Sequence, residues 1–260
     1  MNKPKMILFD YGQTLVSEAR FDGIQGTKAV LDNCVKNPYN VSPDDIQSLA
    51  NEMNKDIGRY DPKTNHLYTI EVHNHSFQNY LYDYFGLTRI VSHLELETTF
   101  WDAASPGKPT IHIEELLMYL KNENIRSSVL SNISFSGRAL ENRINTLIPQ
   151  NDFEFILATS ELVFRKPHKR IFELAARKAH LESHEIWYCG DNGICDVDGA
   201  KTAGLFPVWY KGAYEGHGFA PQNECLTILD WQELIKILED LKRLCGERGR
   251  SNSKTRTETF

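Results

Sequence analysis

The sequence predicts an α/β protein built on a doubly wound parallel sheet, with a helical region inserted after the first strand. Three observations predict it. Short apolar runs of four to six residues recur and end at Gly, Asp, Ser or Asn, as buried strands of a parallel sheet do. From about residue 110 onward these runs alternate with helical stretches, and that alternation is the pattern of a parallel sheet. Between the first run and that alternation lies a long stretch with helical patterning.

Taken in order, Met6–Phe9 is a buried strand ending at Asp10 and the turn-like Gly12. Residues 23–36 and 42–60 are helical, the second opening on Ser42-Pro43-Asp44-Asp45 as a helix start. A polar break at 61–65 precedes a Tyr- and His-rich helix over 67–85. Ser105-Pro106-Gly107 marks a boundary, and 110–121 is an amphipathic helix. Strands follow at 126–130, ending at Ser131-Asn132, at 153–158 before Lys166-Pro167, at 186–189 ending at Gly190-Asp191, and at 206–209. Helices are expected over 171–179 and 197–203. A last strand at 227–229 leads to Asp230, which caps a final helix through Arg243. No internal repeat is visible.

The 260 residues are 41% hydrophobic and 25% charged, an ordinary globular balance. A net charge of -6 gives no global reason to expect nucleic acid or an anionic membrane as partner. The apolar run near the start is too short for a signal-peptide core and no run approaches a membrane span, so a cytoplasmic protein is expected. Five cysteines without a CxxC pair fit that expectation and read as buried or incidental thiols. From Lys242 on, six Lys or Arg stand against two Glu, and 246–260 is expected to be a disordered, solvated tail.

In a doubly wound sheet, ligands gather at the carboxyl ends of strands. The residues that fall there are Asp10, Ser131, Asn132, Gly190 and Asp191, with Asp196 five residues beyond Asp191. Carboxylates without clustered nitrogen or thiol donors suit Mg2+. Ser131 offers a hydroxyl, and the loop after it offers backbone amides to an anion. Pro167 is expected to begin a helix and so to hold Lys166 in place. A carboxylate nucleophile, a metal, a lysine and an anion together make a phosphoryl-transfer site. Singly, each has a plainer reading: a strand-terminal Asp is usually a cap, and a Lys before Pro is usually surface charge.

The ordered set resembles the four motifs of the haloacid dehalogenase-like superfamily. Phe9-Asp10-Tyr11-Gly12-Gln13-Thr14-Leu15 resembles motif one, usually Asp-x-Asp-x-Thr/Val, and Leu130-Ser131-Asn132 resembles motif two. Arg165-Lys166-Pro167 and the helix after it resemble motif three. The run from Gly190-Asp191-Asn192-Gly193 through Asp196 to Gly204 resembles motif four closely, and the likeness spans residues 6–209. The resemblance implies a Rossmann-like core over 1–15 and 106–245 and a helical cap over 16–105. It implies that Asp10 attacks phosphorus, that Ser131, Asn132 and Lys166 bind the phosphate, and that Lys166 also pairs with Asp10. Mg2+ would be held by Asp10, the Gly12 carbonyl and Asp191, with Asp196 supporting the site from behind. The implied reaction is hydrolysis of a small phosphorylated metabolite through an aspartyl-phosphate.

Position 12 departs from the pattern. Most phosphatases of the family carry there a second Asp, which protonates the leaving oxygen and later activates water. Three outcomes fit a Gly: a phosphatase with acid–base help from elsewhere, an enzyme cleaving C–P or C–halogen bonds, or a phosphate-binding protein with little turnover. The dehalogenases usually set their Tyr-Gly pair one place later and need no Mg2+, unlike the acidic motif four here. A C–P bond hydrolase would need a Schiff-base lysine in the cap, where Lys55 and Lys63 read more simply as solvated charges. The cap region also carries His66, Tyr68, His73, His75, Tyr80, Tyr82 and Tyr84. One of its histidines could replace the missing acid. On a helix, the His73 and His75 pair would point to different faces, which argues against a metal there.

Overall fold

The computed structural model describes residues 2–59, 68–213 and 220–254, with side chains through 244. Its central sheet has six parallel strands: β1 (Met6–Phe9), β6 (Arg126–Ser131), β7 (Ile156–Ala158), β8 (Ile186–Gly190), β9 (Phe206–Tyr210) and β10 (Leu226–Ile228). They lie in the order β10-β9-β8-β1-β6-β7. The chain builds outward from β1 to β7, then crosses back to lay β8 on the other side of β1 and continues to β10. That reversal opens a crevice at the carboxyl ends of β1 and β8, where doubly wound sheets bind their ligands.

β1 shows why the sheet sits where it does. All four of its side chains are fully buried, and they alternate between two cores. Ile7 and Phe9 pack with α5 (Ile113–Asn122), α6 (Gly137–Leu147) and α9 (Trp231–Lys254) on one face. Met6 and Leu8 pack with α7 (Lys169–Ala179) and α8 (Gly199–Thr202) on the other. At about 1.5–3 kcal/mol for each fully buried large apolar side chain, a strand apolar on both faces is held only between two helical layers.

The predicted strands are all present. Helix α6, with Ser136 as its cap, was not expected, because its buried face is made of Ala139, Leu140, Arg143 and Ile144 and the arginine breaks the apolar stripe. The final helix starts as expected, with Asp230 accepting from Gln232 N at 2.7 Å. It runs on to Lys254, past the point where a disordered tail was expected to begin.

After β1 the chain forms β2 (Val16–Glu18), which pairs antiparallel with β5 (Gly107–Pro109). Hydrogen bonds from Ala19 N to Pro106 O (2.8 Å) and from Asp22 N to Ala104 O (2.7 Å) continue the pairing outward. The two passages into and out of the inserted segment therefore lie side by side. The insertion holds α1 (Gly23–Asn33), β3 (Val35–Lys36), α2 (Pro43–Asp56), α3 (Asn74–Tyr84), β4 (Thr88–Arg89) and α4 (His93–Ala104) around a separate apolar cluster that includes Val30, Ile46, Leu81 and Leu96. The expected helix at 23–36 stops at Asn33, and Val35–Lys36 instead pairs with β4. Helix α2 starts where expected, and Ser42 and Asp45 form a reciprocal cap there. Helix α4 was not expected from the sequence. Lys63, His66 and the polar break at 61–65 lie outside the described residues.

Candidate active site

The sheet order sets the site. Phe9 pairs with Cys189 on one side and Val129 on the other, so the next residues of each strand emerge together. Asp10 leaves β1 with its N–H donated to Cys189 O at 2.9 Å. Asp191 leaves β8, its backbone carbonyl accepting from Trp209 Nε1 at 2.7 Å. Ser131 ends β6, buried, its hydroxyl without a hydrogen-bond partner among the described residues.

Lys166 is buried, with 2% of its surface exposed, yet it carries a charge at the centre of this group. Its Nζ donates to Asp10 Oδ1 at 2.8 Å, to Asp196 Oδ1 at 2.6 Å and to Tyr188 Oη at 2.7 Å. Burial opposes that charge, but Asp10 and Asp196 outweigh it and hold the ammonium above its ordinary range. Tyr188 in turn donates to Leu130 O at 2.7 Å, which orients its oxygen toward the lysine. In the sequence, nothing distinguishes Tyr188 from an ordinary buried strand residue.

The lysine is not held by a helix starting at Pro167, as expected; α7 begins at Lys169, capped by His168. Asn132 holds it instead. The Asn132 amide accepts from Lys166 N at 2.8 Å and donates to Lys166 O at 2.9 Å, clamping the backbone on both sides. The Asn132 side chain thus positions Lys166.

Asp10, Asp191 and Asp196 offer oxygens that all lie within 4.8 Å of one another. Counted as ionised, three carboxylates against one ammonium leave an excess of two negative charges at the strand ends. Burial pushes the Asp191 carboxyl well above the usual range, and the charges of Asp196 and Asp10 add to the rise. Asp196 is pushed up to about 6, burial outweighing the pull of Lys166. This donor set fits a hard divalent cation, which would reverse that rise. Asp196 already gives one oxygen to Lys166 and the other to Asn192 N at 2.9 Å, so Asp10 and Asp191 carry the oxygens left for a metal. Gly190 makes room for this arrangement: a Cβ there would stand 2.3 Å from the Asp196 carboxyl carbon.

Gly12, two residues past Asp10, is half-exposed and does not have a left-handed backbone; the positive φ in this loop belongs to Gln13, at 52°. A side chain at position 12 is therefore unstrained. The atom nearest to a Cβ there is Glu18 Oε2, at 3.5 Å. Glu18 stands on β2 in a second cluster that the sequence did not reveal. Its Oε1 accepts from Trp101 Nε1 at 2.9 Å and Tyr11 Oη at 3.4 Å, and pairs with Arg143 Nη2 at 3.4 Å. Arg143 also donates to Tyr11 Oη at 2.7 Å, bonds Asp102 and the Ser105 carbonyl, and lies over the Trp101 ring. Burial pushes the Glu18 carboxyl up, Arg143 pulls it down, and the charge of Asp10 adds to the rise. One signal could have pointed to Glu18: it is the first acidic residue after Asp10.

The histidines of the insertion are engaged elsewhere. His73 caps α3 from outside the helix, so it does not diverge from His75 as expected; their ring centroids are 4.5 Å apart. His75 Nε2 is 3.0 Å from Glu97 Oε1, and His73 Nε2 is 3.6 Å from Glu161. Among the described residues, the Asp10, Asp191 and Asp196 group is the one set of His, Cys, Asp and Glu close enough to hold a metal. Lys55 is exposed on α2. No helix of the described residues is long and apolar enough to cross a membrane.

Comparison with known proteins agrees with this fold. The human haloacid dehalogenase-like hydrolase domain-containing protein 3 is 33% identical over 92 residues, 35% of this chain and 36% of that protein. A glyceraldehyde 3-phosphate phosphatase of Pyrococcus furiosus is 23% identical over 95% of this chain and 96% of its own length. In fold, the chain is similar to a phosphatase from Thermococcus onnurineus (TM-score 0.58, 18% identity, 92% and 98% of the two chains covered). It is equally similar to a 2-haloacid dehalogenase from Pseudomonas syringae pv. Tomato DC3000 (TM-score 0.60, 18% identity, 92% and 99% covered). The model of the haloacid dehalogenase-like hydrolases matches residues 7–209, the span that contains β1 from Ile7 on, the insertion and every strand-end residue of the site, and the chain belongs to that family.

Proposed function

We propose that this hydrolase cleaves a small phosphate monoester in two steps, with Asp10 as nucleophile and Mg2+ as cofactor. The observation that carries the reading is the Asp10, Asp191 and Asp196 group with its single buried lysine. Its excess negative charge calls for a cation, where a C–halogen hydrolase needs none. The phosphatase of P. furiosus, similar over nearly the whole chain, supports a small phosphorylated metabolite as substrate.

Asp10 would attack phosphorus and form an aspartyl-phosphate, which water then opens; two displacements replace one harder one. Lys166 orients Asp10 and meets the phosphate, and Ser131 with the Asn132 amide binds its oxygens. Asp10, Asp191 and the Gly12 carbonyl would hold Mg2+, which supplies charge neutralisation between anionic nucleophile and anionic substrate. The inserted segment, 16–105, serves as a cap whose side chains select the ester, and the paired β2 and β5 are its attachment to the core.

Purified protein and p-nitrophenyl phosphate test this directly. Turnover should require Mg2+, disappear in excess chelator and return on adding Mg2+, with Ca2+ a poor substitute. Asp10→Asn should lower kcat by at least about 10⁴-fold while circular dichroism stays unchanged. Undiminished activity in chelator, or in Asp10→Asn, overturns the proposal.

A further inference from the structure

We propose that the Glu18 carboxyl is the general acid and base of this site, standing in for the carboxylate that position 12 lacks. The inference rests on the phosphatase reading above. Three features of the structure carry it.

First, Glu18 Oε2 occupies the space beside Gly12: it is the nearest atom to a Cβ built there, at 3.5 Å. An aspartate at position 12 would extend its own carboxylate from that same Cβ. Second, the two oxygens of Glu18 are differently employed. Oε1 is held by Trp101, Tyr11 and Arg143, whereas Oε2 has no hydrogen-bond partner among the described residues and is not sealed from solvent. One oxygen anchors the side chain and the other is presented. Third, a Cβ at Gly12 would stand in van der Waals contact with Oε2, and with glycine there that approach to the oxygen is open. Two histidines of the insertion, His73 and His75, could also transfer protons by their chemistry, but they are paired with Glu161 and Glu97.

The proton balance is complete. In the first step Asp10 forms a bond to phosphorus, the bond from phosphorus to the leaving oxygen breaks, and protonated Glu18 gives its proton to that oxygen. In the second step ionised Glu18 takes a proton from water, whose oxygen bonds to phosphorus as the bond to Asp10 breaks. Phosphate and the alcohol leave, and Glu18 is again protonated.

The test is a rate series in Mg2+ over alkyl phosphates and aryl phosphates of graded leaving-group acidity. It uses the full chain as wild type, Glu18→Gln, Gly12→Asp and the double variant. Glu18→Gln should lose about 10²-fold or more in kcat/KM on alkyl esters and little on aryl esters that leave without a proton. It should also release the first equivalent of phenol as a burst, because the second step has lost its base. Gly12→Asp in the Glu18→Gln background should restore alkyl turnover. Glu18→Asp, which keeps the charge facing Arg143 but withdraws the carboxyl, should show the same selective loss and serves if Glu18→Gln folds poorly. An equal loss on all esters, as from a role only in holding β2, overturns the proposal; so does no loss. Wild type that turns over no ester overturns the phosphatase reading itself, and this proposal with it. Turnover that depends on Asp10 but not on Glu18 overturns this proposal alone.

Discussion

Two buried carboxylate clusters stand on either side of Gly12, and their charge is balanced in opposite ways. At the strand ends, Asp10, Asp191 and Asp196 share one ammonium, and the excess negative charge is left for something outside the chain to neutralise. At the root of the insertion, Glu18 meets Arg143, with Tyr11 and Trp101 giving hydrogen bonds and Asp102 closing the guanidinium's far side. The first cluster is electrostatically incomplete without a ligand; the second has its countercharge within the protein, Arg143 for the buried Glu18, while Asp102 is largely exposed to water. An incomplete set marks where chemistry is done, and a complete one holds a side chain still. Glu18 is anchored in the second through Oε1, and its Oε2 stands 3.5 Å from where a Cβ at Gly12 would be.

The sharpest way to break the comparison is at Arg143. It is 8% exposed and ties α6 to Tyr11, Glu18, Asp102 and the end of α4 at Ser105. Arg143→Met leaves Glu18 buried without its counter-charge, and removal of one member of a buried pair costs about 3–5 kcal/mol. Urea denaturation should show that loss. Arg143→Lys should recover little of it, since an ammonium cannot reach several acceptors in a plane as the guanidinium does. A loss below about 1 kcal/mol would mean that the second cluster is not a closed unit.

A smaller effect separates the clusters by pH. In metal-free protein, Asp191 is raised well above, and Asp196 to about 6 from, the usual carboxylate range. For carboxyls raised in this way, the stability they contribute is fully present below the unfolded value and is lost as pH rises through the folded one. Under the function proposed above, Mg2+ would bind the ionised forms and should restore that loss. At a concentration of 100 Kd it should add about 2.7 kcal/mol near neutral pH. The gain should shrink as pH falls through about 6, where protons compete for the same oxygens. Thermal melts with and without Mg2+ from pH 5 to 8 measure it as a difference, in which groups remote from the metal cancel. A gain independent of pH would separate the metal from these carboxylates.

The same contrast explains what the sequence could convey. Asp10, Ser131 and Asp191 are each the residue at or just past the end of an apolar run, and the order of the runs already implies that their ends converge. Sheet, strand positions and strand-end residues follow from patterns within single segments. Glu18, Trp101 and Arg143 come from three segments, and their pairing depends on where β2, α4 and α6 pack. Arg143 even conceals its own helix, because a buried cation breaks the stripe that marks one. Asn132 is legible through its place in a motif, and only tertiary contact shows its side chain holding the Lys166 backbone.

The smallest expected effect tests whether the insertion's histidines share in the proton chemistry. His75 lies 3.0 Å from Glu97, a fully buried carboxylate that also accepts from Ser136 N at 3.0 Å and from the Ser136 hydroxyl. Its ring stacks on His93, with centroids 4.6 Å apart. These partners join the insertion to the start of α6. His75→Phe keeps an aromatic ring in the stack but takes away one of the groups paired with Glu97, which retains its two contacts with Ser136. The expected loss is about 1.5–3 kcal/mol, the scale of one hydrogen bond to a charged group. The dependence of rate on leaving-group acidity should not change, because this pairing connects to Ser136 and not to Gly12. A steeper dependence in His75→Phe, with Glu18→Gln unchanged, would move the acid from the root of the insertion to the start of α3, and Glu18 would then be only the closed cluster's buried anion.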